Sequence, residues 1–161
     1  MKILAIIPAR MNSSRFYGKP LKKILGIPMI ERVYSNVSKS KLVNYTYVAT
    51  CDKEIHNFIN SLGGNSIMTS IKHKRATERT SEAMQKIENK LKIKFDIIVM
   101  VQGDEPIITG RLIDDAVNQF KADDTTDIVN IITTINDQRE FESPNSVKAV
   151  MDVNNKLMYF S

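Results

Sequence analysis

The stretch MKILAIIPARMNSSRFYGKPL, Met1 to Leu21, decides how the rest of the chain is read. Lys2 to Pro8 is apolar on both faces, the mark of a strand buried in a parallel sheet between layers of helix. Beyond Pro8 the sequence passes at once into Arg10, Arg15 and Lys19, set among Asn12, Ser13, Ser14 and Gly18. Small polar residues and glycine let backbone N–H groups approach an anion while the cations neutralise it. A triphosphate satisfies all three cations, and a solvated basic loop is the alternative that composition leaves open. The loop lacks both G-x-x-x-x-G-K-[ST] and G-x-G-x-x-G, which sets P-loop ATPases and dinucleotide oxidoreductases aside.

Working outward, Tyr45–Thr50, Asp96–Gln102 and Asp127–Thr134 are further short apolar or β-branched runs and are expected to be strands. Between them, apolar residues recur at helical spacing: Ile30, Val33, Tyr34 and Val37; Ile55, Phe58, Ile59 and Leu62; Ala83, Met84, Ile87 and Leu91; Leu112, Ile113, Ala116, Val117 and Phe120. These stripes face a core and need no cofactor to explain them. Pro28 suits a first helical turn, Gly63-Gly64 a helix end and Thr109 an N-cap. The alternation predicts an α/β fold, a doubly wound, mostly parallel sheet with helices on both faces. Ligands of such sheets bind beyond the carboxyl ends of the strands, so the loops after Pro8, Thr50 and Gln102 are the ones to read.

At the other end, Ser146–Asp152 and Leu157–Ser161 read as strands joined at Asn154-Asn155, an incomplete β-hairpin whose last strand nothing caps. The expectation is a single domain over 1–161 whose C-terminal part is absent.

The 161 residues suit one domain, and 42% apolar with 25% charged residues is ordinary for a globular chain. No apolar run approaches the roughly 18 residues of a membrane span, and Lys2 leads into strand-like sequence rather than a signal peptide. With a single cysteine, Cys51, no internal disulfide is possible, and the expected compartment is the cytoplasm. The net charge of +5 is spread along the chain. Its clusters, Lys22-Lys23 and Lys72-His73-Lys74-Arg75, are too short to argue for nucleic acid, and no membrane partner is expected.

Two further segments bear on chemistry. In VQGDEP, Val101 to Pro106, a strand ends in Gln102, Gly103 turns, and Asp104 and Glu105 are presented at the sheet edge. Adjacent residues of an extended segment point to opposite sides, so one carboxylate faces a ligand. One carboxylate beside a triphosphate loop suits Mg²⁺, which takes one or two carboxylates and completes its shell with phosphate oxygens and water; a solvated turn or helix cap is the alternative. In KHKRATERTSE, Lys72 to Glu82, Glu78 suits the first turn of a helix and Arg79 suits a ligand. His73 is a candidate for acid/base work or a solvated side chain, and His56 carries no functional argument.

Taken together, IPARMNSSRFYGKPL, VATCDKEI, TERTSEA, VQGDEPII and SPNSVKAVMD, in this order, resemble the 3-deoxy-manno-octulosonate cytidylyltransferases, the CMP-KDO synthetases. The resemblance runs from Lys2 to Ser161, roughly the first two thirds of a family member, and implies the fold of nucleotide-diphospho-sugar transferases. It implies cytidylyl transfer from CTP to a 2-keto-3-deoxy sugar acid, with release of pyrophosphate, in lipopolysaccharide biosynthesis. By the same resemblance Arg10, Arg15, Lys19 and Asp104 form the catalytic set, the first three on the triphosphate and Asp104 on Mg²⁺. Ala9, Ser13, Thr50, Asp52, His73, Thr77, Glu78, Arg79 and Gln102 bind substrate, and the full-length protein is a homodimer.

Three residues depart from the family pattern: Tyr17 stands for proline, Cys51 for an acid, and Ala76 for a glycine whose backbone, if left-handed, would have to be rebuilt. The arginine-led segment, sugar-acid pocket and second metal-binding aspartate that the family carries beyond YFS are expected to be missing. The chain is therefore expected to be a fragment that binds CTP weakly and transfers poorly. A related acceptor, an 8-amino-octulosonate or nonulosonic acid, and a non-catalytic nucleotide-binding module are the alternatives.

Overall fold

The computed structural model describes residues 1–12 and 16–161. They divide into two compact units, Met1–Thr126 and Asp127–Ser161. In chain order the first contains β1 (Ile3–Ala9), a 3₁₀ turn (Lys19–Leu21), β2 (Lys23–Ile24), β3 (Ile27–Pro28) and α1 (Met29–Val37). It continues through β4 (Tyr45–Thr50), α2 (Lys53–Ser61), β5 (Ser66–Met68), α3 (Ala76–Leu91), β6 (Ile97–Met100) and α4 (Gly110–Ala122).

The main sheet has the order β5-β4-β1-β6, and every pairing in it is parallel. All seven residues of β1 are buried, as a strand covered on both faces must be. Alternate side chains go to opposite faces: Ile3, Ala5, Ile7 and Ala9 pack with Ile30 and Val33 of α1, Ile55 and Ile59 of α2, and Ile113 and Val117 of α4. Leu4 and Ile6 pack with Tyr47, Ala49, and Ala83 and Ile87 of α3. The sheet is doubly wound, as expected. From β1 the chain builds outward through β4 to β5, then α3 carries it back to β6 on the far side of β1. The strand order thus reverses between β1 and β6, and their carboxyl ends flank the crevice.

The strand expected over Asp96–Gln102 narrows to Ile97–Met100. Edge strand β5 was not anticipated, because three residues give no periodicity; the Ser66 hydroxyl fastens it to α2, 2.7 Å from His56 Nδ1, while Asn60 Nδ2 lies 3.1 Å from Nε2. His56 therefore has a structural role. Thr109 caps α4 by accepting from the Leu112 N–H at 3.2 Å, and Gly63 takes φ +74° just beyond α2. Pro28 stands one place earlier than expected, at the N-cap of α1. The β2–β3 hairpin turns on Leu25 (φ 48°) and Gly26 (φ 82°), the two positive φ angles of a tight hairpin turn.

In the second unit the strand expected over Asp127–Thr134 does not form: residues 127–137 carry neither helix nor strand. β propensity expresses itself through pairing and burial, and no described strand pairs with this run. After it come α5 (Gln138–Glu142) and an antiparallel pair, β7 (Ala149–Met151) with β8 (Leu157–Phe160). Asp152 organises the turn between them by accepting from the N–H groups of Asn154 (2.8 Å) and Lys156 (2.9 Å). These backbone bonds, that of Lys156 foremost, hold its carboxyl below the usual range.

Candidate functional site

Beyond the carboxyl ends of β1 and β6 lies a cleft of about 240 Å³. Three stretches build it. Pro8, Ala9 and Arg10 leave β1, followed by Lys19 and Pro20 of the 3₁₀ turn; Gln102, Gly103 and Asp104 leave β6; His73, Lys74, Arg75, Ala76 and Arg79 form the wall around the start of α3.

The base of the first loop is fixed by backbone contacts. The Met11 N–H donates to Asp52 Oδ2 at 2.9 Å, and the Gly18 N–H donates to the Met11 carbonyl at 2.9 Å. Gly18 sits at φ +73°, a conformation only glycine takes without strain. Next to it Lys19 Nζ lies 2.7 Å from Asp104 Oδ2, bridging the first loop to the loop after β6. Lys19 is 38% and Asp104 49% exposed, so screening keeps the pair to under about 1 kcal/mol. Its role is placement, not stability. Gly103 permits the approach: a Cβ there would stand 2.8 Å from the Pro8 carbonyl oxygen.

The wall around α3 is organised by two glutamates. Glu78 accepts from the N–H groups of Lys74 (3.1 Å) and Arg75 (3.3 Å), and these backbone bonds, the Arg75 one first, lower its carboxyl. Glu82 accepts from the Ser70 N–H at 2.8 Å, pairs with Lys86 at 2.7 Å and bonds His73 Nε2. Burial works to raise its carboxyl, but the bonds from Lys86, Ser70 and His73 outweigh it and hold the group at about 2. Arg79 is 3% exposed; it donates to Thr69 Oγ1 and, at 3.5 Å, to Cys51 Sγ. No carboxylate among the described residues pairs with that buried cation. Ala76 has an ordinary negative φ, so no left-handed backbone has to be rebuilt there.

Of the residues singled out in the sequence, Ala9, Arg10, Lys19, His73, Arg79, Gln102 and Asp104 come together on the cleft. Thr50, Asp52, Thr77 and Glu78 are not on its lining: the Thr50 hydroxyl accepts from the Asp52 N–H at 3.1 Å, and Asp52 and Glu78 tie down loops that are. Ser13 and Arg15 lie outside the described residues. Sequence reasoning passed over Lys74 and Arg75 because their cluster was weighed only against nucleic acid. It passed over Glu82, whose signal was a glutamate nine residues after a histidine and one helical turn past Glu78.

The described lining residues thus hold five cations, Arg10, Lys19, Lys74, Arg75 and Arg79, against one carboxylate, Asp104. No group of three potential metal ligands occurs among the described residues. Asp104 fits the lesser requirement of a Mg²⁺ that takes one protein carboxylate and fills its shell from phosphate and water, being half exposed and on the cleft. No described helix is long and apolar enough to cross a membrane.

Comparison with known proteins finds cytidylyltransferases similar to the whole chain. A 3-deoxy-manno-octulosonate cytidylyltransferase of Syntrophus aciditrophicus is 41% identical over 160 residues, 99% of this chain and 63% of that protein. One of Parabacteroides distasonis is 42% identical over 165 residues, 100% of this chain and 63% of its own length. Among solved structures, a CMP:2-keto-3-deoxy-manno-octonic acid synthetase complexed with CTP superposes with a TM-score of 0.86 at 32% identity, covering 100% of this chain and 64% of that one. The chain therefore spans less than two thirds of the length of these relatives. The pattern of the family described as Cytidylyltransferase matches residues 4–161, and the chain belongs to that family.

Proposed function

We propose that the chain is the CTP-binding part of a 3-deoxy-manno-octulosonate cytidylyltransferase. The observation that carries this is the cleft at the β1/β6 crevice, with five cations facing one carboxylate. An arginine is always charged, and burying one without a counter-charge is costly, so Arg79 calls for an anionic ligand. Several charge-assisted hydrogen bonds of about 1.5 to 3 kcal/mol each support micromolar binding after ordering costs. That the solved relative holds CTP, and that the curated relatives are named for octulosonate, support the choice of nucleotide and acceptor.

In this reading Arg10 and Lys19 neutralise the triphosphate, with Arg15 and Ser13 of the same loop, Arg79 meets an anionic group of the nucleotide, and Gln102 approaches the ribose or sugar acid. Thr50, Asp52 and Glu78 act through the loops they hold. A sugar hydroxyl attacks the α-phosphorus and gives up its proton to solvent, the new P–O bond forms as the bond to pyrophosphate breaks, and positioning with charge stabilisation does most of the work. Asp104 would hold Mg²⁺, which supplies further positive charge to the phosphate oxygens. Residues 1–161 belong to one nucleotidyltransferase domain, a reading favoured by the family match across both units. A cytoplasmic, homodimeric enzyme of lipopolysaccharide biosynthesis completes the proposal.

Calorimetric titration with CTP, with and without Mg²⁺, tests it, alongside pyrophosphate release in the presence of 3-deoxy-manno-octulosonate. The expectation is CTP binding, weakened at least 10-fold by Arg10→Ala, with little turnover by the 161-residue chain. No CTP binding, or salt-steep RNA binding that CTP does not compete, refutes the reading. Turnover at ordinary enzyme rates overturns only the expectation of poor transfer.

A further inference from the structure

We propose that Glu82 is a positioning residue of the cleft, holding the 70–73 loop so that His73 serves as a fixed wall for the nucleotide. The inference rests on the CTP-binding reading and adds a residue to it. His73 lines the cleft, yet both of its ring nitrogens look toward carboxylates of α3. Nε2 bonds Glu82, and Nδ1 lies 3.9 Å from Glu78 Oε2. The bond to Glu82 fixes the ring through Nε2, and the ring so fixed presents its surface to the cleft.

The rest of the Glu82 environment points the same way. The oxygen that meets His73 also accepts from the Ser70 N–H at 2.8 Å, so one carboxylate fixes both the entry of the loop and the side chain that reaches the cleft. Lys86, one turn further along α3, holds the other oxygen at 2.7 Å. Glu82 is mostly buried and is not on the lining, so it meets a ligand only through His73 and the loop. Arg79, three residues earlier on α3, is itself on the lining. Fixing the loop to this helix therefore fixes His73 relative to the buried cation.

A double-mutant cycle on CTP affinity, with amide hydrogen exchange at Ser70, tests the proposal. Glu82→Ala is expected to weaken CTP about 10-fold and to speed exchange at Ser70. Glu82→Gln, which keeps an acceptor at the same place, recovers most of both. In a His73→Ala background the effect of Glu82→Ala shrinks to under about 3-fold, because the group through which Glu82 acts is gone. Equal affinity of Glu82→Ala and the unaltered chain, or the same loss in both backgrounds, overturns the proposal. If the unaltered chain itself binds no CTP, the functional reading fails and takes the proposal with it. That result is distinct from binding by the unaltered chain that Glu82→Ala leaves untouched.

Discussion

Replacing Gly103 with alanine adds one methyl group at the point where the β6 loop rests on the end of β1. The new Cβ would stand 2.8 Å from the Pro8 carbonyl oxygen, 3.4 Å from Ala9 Cβ and 3.5 Å from Ile30 Cδ1. The first contact decides the outcome, because the oxygen belongs to the backbone of the fully buried central strand and has no rotamer to change. Reaching ordinary contact requires the loop to lift by about 0.6 Å. Overpacking of this kind costs about 1–3 kcal/mol. At roughly 3 °C per kcal/mol the midpoint of thermal unfolding should fall by about 3–9 °C. Asp104 follows directly, so the same lift disturbs its 2.7 Å contact with Lys19, and CTP affinity should drop on the order of 10-fold. Scanning calorimetry and CTP titration of the variant measure both effects. A midpoint within 1 °C of the unaltered chain, with CTP affinity intact, would show that the loop does not rest on β1 as described.

Gly110→Ala provides the contrast, since its Cβ would meet Lys39 C and Ser40 N at 2.5 Å, away from the cleft. It should destabilise by at least about 2 kcal/mol in urea unfolding while the folded fraction binds CTP normally. Ile87, fully buried on the α3 face of the sheet, should cost about 2–5 kcal/mol when truncated to alanine; a smaller loss would mean that face is loosely packed. Glu82 predicts an acid effect. Its carboxyl is lowered from 4.5 to about 2, so its contribution is complete above pH 4.5 and is lost as the pH falls toward 2. The shift corresponds to about 3 kcal/mol before solvent screening of the partly exposed carboxylate reduces it. Urea unfolding of Glu82→Gln should show a shallower loss of stability between pH 5 and 2 than the unaltered chain, and parallel curves would refute the assignment.

The layers of this fold were legible because burial wrote them into the sequence. β1 is apolar at consecutive positions only because helices cover both of its faces, and the stripes of α1 to α4 keep a helical period because each buries one side. What escaped notice lacks that imprint. β5 is three residues held by a Ser66–His56 contact between side chains ten residues apart, and the β2–β3 turn uses Leu25 where a sequence reader looks for asparagine. Residues 127–134 have the β-branched composition of a strand, yet composition does not supply a neighbour, and without one the ladder is not made.

The site divides along the same line. Arg10 and Gln102 stand within two residues of strand ends, and Lys19 and Asp104 lie further along the loops that follow the same strands, so knowing where strands stop is enough to place them together. The α3 wall follows a different logic, because there the chain reaches the cleft sideways, through a loop whose position no periodicity reports. His73 read as a lone histidine among cations; in three dimensions it lies between Glu78 and Glu82, two acids whose spacing along α3 puts them on one face of the helix. The cleft-lining residues at the strand ends were readable from charge and position. Those that hold lining residues in place were not, because their bonds run between a loop and a helix that the sequence does not show to be adjacent. Asp52, which accepts the Met11 N–H, makes the same point on the opposite wall. The family resemblance suggested that it contacts a ligand, whereas its carboxylate holds the base of the cationic loop, so its removal should loosen Arg10 and Lys19 together instead of deleting one contact.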